Sequence, residues 1–130
     1  RHSLEPQMIP VAVFTDPELA SVGWTEEEAM ERGLKIKIGL FPLHASGRAV
    51  AMEKSEGLVK ILADDNNRLV GAHLLSPAAS EMIGEMALAL RLGLRIEEIG
   101  RTIHVHPTLS EALAEASLKT LNQALHLIND

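Results

Sequence analysis

The chain has 130 residues, about the size of one domain. Its 12 basic and 18 acidic side chains leave a net charge of −6, which argues against nucleic acid or an anionic membrane surface as a partner. It has no cysteine, which excludes a disulfide framework, a thiolate zinc site and a thiol nucleophile within the chain.

Residues 1–8 read as a linker or lead-in segment. Arg1-His2-Ser3-Leu4-Glu5-Pro6 has no initiator methionine and no signal-peptide pattern. A piece of a longer, cytoplasmic protein is therefore expected. Val11–Phe14 is a short β-branched and aromatic run that predicts a strand, broken by the turn residues Thr15-Asp16-Pro17-Glu18. Thr25 and Glu28 have capping-box spacing, so Thr25 should start a helix that runs to about Arg32 and ends at Gly33. Lys35 to Phe41 opens on charged and apolar residues in alternation, the period of a half-buried strand. Leu58–Ala63 and Leu69–Leu75 are two more strands, joined by Asp64-Asp65-Asn66-Asn67-Arg68 as a hairpin turn.

The period then changes. Ser76 before Pro77 predicts a capped helix start, with Ala79, Met82, Ile83, Met86, Ala87 and Leu90 on one face and Gly93 as the stop. Ile96–Arg101 predicts a short helix. A last helix begins near Leu109, with Ala112, Leu113 and Ala116 on one face, and its apolar face moves round to Leu118, Leu121, Leu125 and Ile128. The expected class is α+β: a mainly antiparallel sheet flanked by helices and covered on one face. No apolar run approaches the ~18 residues of a membrane span.

Between the last two helices lies a polar island, His104-Val105-His106-Pro107-Thr108-Leu109-Ser110-Glu111. His106 is the candidate base, because an imidazole titrates near neutral pH. Pro107 stiffens the backbone where that ring must be aimed. Glu111 lies within reach of a ring nitrogen, where a carboxylate selects the tautomer and stabilises the imidazolium. Thr108 and Glu111 also have capping-box spacing, so Glu111 closing a helix end is the plain structural reading, and the two roles are compatible. His104 and His106 share the parity of a two-histidine metal site, but no third ligand follows at helical or hairpin spacing, so no metal is expected. His73 reads as a packed or hydrogen-bonded strand residue. His44 and His126 have no companions in sequence. Glu81 and Glu85 read as a solvated helix edge, and Met82 and Met86 as packing. The nine glycines form neither Gly-x-Gly-x-x-Gly nor the P-loop spacing, and no serine elbow is present.

Three segments together resemble the C-terminal dimerisation domain of the flavin-dependent pyridine nucleotide–disulfide oxidoreductases, in particular the dihydrolipoamide dehydrogenase branch. They are Ile9 to Gly23, Gly57 to Leu62 continuing through Leu69 to His73, and His104 to Ala112. The resemblance covers essentially the whole chain and implies one dimerisation domain over residues 1–130, paired in a homodimer. It implies that His106 is the family's base and Glu111 its orienting carboxylate, reaching into the other subunit's active site to take a proton from a dihydrolipoyl-type dithiol. It places the backbone around His106 and Pro107 against the partner's FAD, from which electrons pass to NAD. The parent would thus hold FAD and NAD, whereas the isolated domain would bind neither and be inactive. Two other readings stay open: a purely structural homodimerisation module, and the equivalent domain of a glutathione reductase-like enzyme.

Overall fold

A computed structural model describes residues 5–129. Of the lead-in segment, residues 1–4 lie outside the described residues, and Pro6–Met8 form a single 3-10 turn. Five strands follow: β1 (Val11–Val13), β2 (Glu18–Gly23), β3 (Ile36–Pro42), β4 (Leu58–Asp64) and β5 (Leu69–Ser76). They form one sheet in the order β1-β2-β5-β4-β3, and every pairing is antiparallel. The helices are α1 (Glu26–Glu31), α2 (Gly47–Ala51), α3 (Ala79–Leu92), α4 (Ile96–Arg101) and α5 (Glu111–Lys119). The expected α+β class with an antiparallel sheet is the one observed.

Strand periodicity explains where the core lies. In an antiparallel sheet residues directly opposite one another share a face. Phe41, Val59, Leu74 and Ala20 form one such row across β3, β4, β5 and β2, and all four are buried. Onto that face α3 packs against β2 and β5, and α5 packs against β3 and β4. Met82, Met86, Ala112, Leu113 and Ala116 complete the core from the helices. The next row, Leu40, Lys60, His73 and Ser21, faces the other way. There Lys60 pairs with Glu26, and His73 accepts burial through a hydrogen bond between its Nε2 and the Trp24 carbonyl, 3.0 Å.

Local chemistry sets the element ends. The Thr25 capping box forms as predicted, with Glu28 N–H donating to Thr25 Oγ1 and Thr25 N–H to Glu28 Oε2. Gly93 closes α3 in the left-handed conformation, φ 61°. Three expectations are corrected. The predicted strand at Val11–Phe14 stops at Val13, and the chain returns as β2, where the sequence pattern predicts no strand. Ser76 does not cap α3. It is the buried last residue of β5, Ala78 holds the cap position, and the helix's free Ser80 N–H donates to Glu18 Oε2 of β2 at 2.9 Å. The last helix does not run on to Ile128. It ends at Lys119, Asn122 adopts φ 56°, and Gln123 N–H donates back to Leu118 O at 3.0 Å, which turns the chain.

Candidate active site

The polar island is a loop that joins α4 to α5, and those two helices pack on each other. α5 is in turn seated on β3 at Gly39, where an added Cβ would lie 1.9 Å from the Ala116 carbonyl oxygen. The end of the loop is therefore fixed to the sheet through α5. The His106–Pro107 peptide is cis, and the His106 side chain is 76% exposed, so the ring stands clear of the core.

Glu111, in the first turn of α5, makes both of the contacts its spacing allows. Its Oε2 accepts the Thr108 N–H at 2.8 Å, and its Oε1 accepts from His106 Nδ1 at 2.8 Å. The complete capping box does not form: the helix's cap position falls at Ser110, and the Thr108 hydroxyl donates to Val105 O. Partial burial pushes the Glu111 carboxyl up. The Thr108 N–H and the His106 imidazole outweigh that effect and hold it below the usual carboxylate value. An ionised carboxylate on Nδ1 leaves the Nε2 lone pair facing outward, the arrangement of a base with an orienting partner.

His104 is built differently. Its Nδ1 donates to Thr102 O at 3.0 Å and its Nε2 meets Glu85 Oε1 at 2.9 Å, with the side chain 9% exposed. Both ring nitrogens are occupied, so His104 braces the loop against α3. Glu85 is accordingly a partner of the loop, and only Glu81 remains a solvated edge residue. His104 and His106 thus engage different carboxylates, and the described residues contain no group of three His, Cys, Asp or Glu side chains arranged for a metal ion. Met82 and Met86 are core. His73 is the packed strand histidine expected, and burial holds its imidazole below the ordinary value. His44 is exposed.

One neighbour of the site is not legible in the sequence. A cleft of about 260 Å³ is lined by His106, Glu111, Glu115 and His126 together with Phe41, Ser46 and small residues. His126 Nδ1 donates to Glu115 Oε1 at 2.9 Å. The two residues are eleven apart and meet only because the chain reverses at Asn122. The left-handed preference of that asparagine is the one clue the sequence offers.

The family model described as pyridine nucleotide-disulphide oxidoreductase, dimerisation domain, matches residues 9–117. The chain is 47% identical over 125 residues to dihydrolipoyl dehydrogenase 2 of Haloarcula marismortui, covering 95% of this chain and 26% of that protein. It is 45% identical over 126 residues to dihydrolipoyl dehydrogenase of Bacillus subtilis, covering 96% and 27%. Among solved structures, LpdA of Mycobacterium tuberculosis superposes with a TM-score of 0.84 at 28% identity, over 89% of this chain and 26% of that one. The HOCl-induced flavoprotein disulfide reductase RclA of Escherichia coli gives 0.78 at 36% identity, over 81% and 24%. The chain thus spans about a quarter of the length of these relatives.

Proposed function

The chain belongs to the dimerisation-domain family of the pyridine nucleotide-disulphide oxidoreductases, and from that premise we propose that it lends His106, steadied by Glu111, to the active site of a partner subunit in a dihydrolipoyl dehydrogenase-type enzyme. The observation that carries this reading is the 2.8 Å contact from His106 Nδ1 to Glu111 Oε1 on a ring that is otherwise open to solvent. In this role Nε2 takes the proton of a dihydrolipoyl thiol. The resulting thiolate attacks a disulfide held elsewhere in the parent, and a thiolate leaves as the mixed disulfide forms. Glu111 stabilises the imidazolium while it holds the proton.

The exposed peptide of His106 and Pro107 fits a contact with the partner's flavin, since Pro107 and its neighbours Ile103 and Val105 stand outside the core. These residues provide a surface to rest against and no cradle, because the chain has no dinucleotide-binding glycine spacing. When bound to the parent, FAD supplies the two-electron relay to NAD. The chain has no cysteine pair to reduce, so alone it turns over no dithiol. Among the described residues no helix is long and apolar enough to cross a membrane. The parent is read as a cytoplasmic homodimer.

A purely structural role draws on one observation, the Thr108 N–H held by Glu111. Turnover separates the two. In the full-length parent, His106→Gln should lower dithiol oxidation by ~10²-fold or more while flavin content and dimer stay intact. Unchanged turnover leaves only the structural role.

A further inference from the structure

The cleft beside His106 holds two imidazole–carboxylate pairs rather than one. Glu115 follows Glu111 by one helical turn, on the same face of α5. It is a buried carboxylate, with its side chain 7% exposed, and both its oxygens are engaged by the segment that follows the helix. Oε2 accepts the backbone N–H of Leu125 at 3.0 Å and of His126 at 3.2 Å, and Oε1 accepts from His126 Nδ1 at 2.9 Å. A buried carboxylate is costly unless its lone pairs are filled. Here they are filled by one short segment, which is thereby pinned along the cleft wall. Asn129 ties the same segment a second time, through its side-chain contacts with Ala124 N–H and O.

We propose that Glu115 and His126 are positioning residues for the His106–Glu111 pair: Glu115 pins the returning segment, and His126 thereby sets an imidazole in the same cleft that His106 and Glu111 line. The inference rests on His106 being the base. The other groups that line the cleft are Phe41 from β3, Ala45, Ser46 and Gly47 at the start of α2, and Ala112 of α5, none of them charged. The titratable groups facing Glu111 there are therefore His106, Glu115 and His126. The positive charge of His126 is among the influences that hold the Glu111 carboxyl below its usual value, after those of Thr108 and His106. Its weight grows when a partner covers the cleft and excludes water, because charges interact more strongly as the effective dielectric falls.

The test is a carbon-detected NMR titration of the Glu111 carboxyl in the 130-residue chain. The His126 side chain is 63% exposed, and the Gln and Lys replacements each carry an N–H donor for Glu115 Oε1, so the buried carboxylate keeps a partner. His126→Gln should raise the Glu111 midpoint by a few tenths of a pH unit, by removing a neighbouring cation. His126→Lys, which keeps a cation, should leave the midpoint where it is in the unsubstituted chain. An unmoved midpoint in His126→Gln, or an equal rise in both variants, overturns the proposal. This readout is independent of turnover. If the midpoint moves but His106→Gln is fully active, the coupling stands and the base assignment falls. If turnover collapses but the midpoint is unmoved, the base stands and the positioning pair falls.

Discussion

His106 and Glu111 are close in sequence, and their pairing is legible there for that reason. A five-residue separation across a helix start allows a carboxylate to reach back, and Glu111 is also well placed to serve helix capping. The structure shows that one carboxylate does both, an oxygen for each. The pairs His104–Glu85 and His126–Glu115 are not legible, because nineteen and eleven residues separate the partners and only tertiary structure brings them together. Glu97 shows another residue-scale effect. Its Oε1 accepts from Asn67 Nδ2 at 2.7 Å, tying α4 to the turn between β4 and β5, and the Arg95 guanidinium beside it lowers its carboxyl from the usual 4.5 to about 2. A carboxyl depressed in the folded state contributes stability above its unfolded value, and that contribution is lost as pH falls through the folded one. Urea denaturation at stepped pH should therefore find the native chain more stable than Glu97→Gln at about pH 6, with the difference shrinking between about pH 4.5 and pH 2. A difference that stays constant over that interval contradicts the assignment.

Elements with a strong period are legible with nearly the right bounds: the β4–β5 hairpin, β3, α1, and the body and C-terminus of α3. β2 is not, because Glu-Leu-Ala-Ser-Val-Gly has a single β-branched residue and its buried positions, Ala20 and Val22, are small. α2 is not, because Gly-Arg-Ala-Val-Ala is too short to show a helical period. The last helix reads too long because Leu121, Leu125 and Ile128 keep a helix-like spacing after the α-helix has ended at Lys119. Leu125 and Ile128 are in fact exposed. The element contact on which the site depends most is α5 on β3. Gly39→Ala would drive a methyl into the Ala116 carbonyl and toward Thr120, so overpacking should cost about 1–3 kcal/mol or more. The urea midpoint of that variant checks this, and an unchanged midpoint would show that α5 can lift from β3 freely.

At the scale of the whole molecule, one chain is a closed core carrying an open site. Ile103 is 97% exposed and Val105 77% exposed, on either side of the braced His104 and directly before His106. A loop that exposes apolar side chains next to an open imidazole fits a surface covered by another subunit. In the twofold dimer proposed above, each site would take its base from the opposite chain. The proposed arrangement would give a domain with no cysteine and no dinucleotide motif its part in a family of disulfide oxidoreductases.

The most direct test of that claim is complementation in the full-length enzyme. A heterodimer would pair one subunit carrying His106→Gln with one whose redox disulfide has been removed, each nearly inactive as a homodimer. If His106 acts across the interface, the heterodimer regains one complete site and about half of native turnover. If it acts within its own subunit, no complete site exists, and a heterodimer as inactive as its parents contradicts the account.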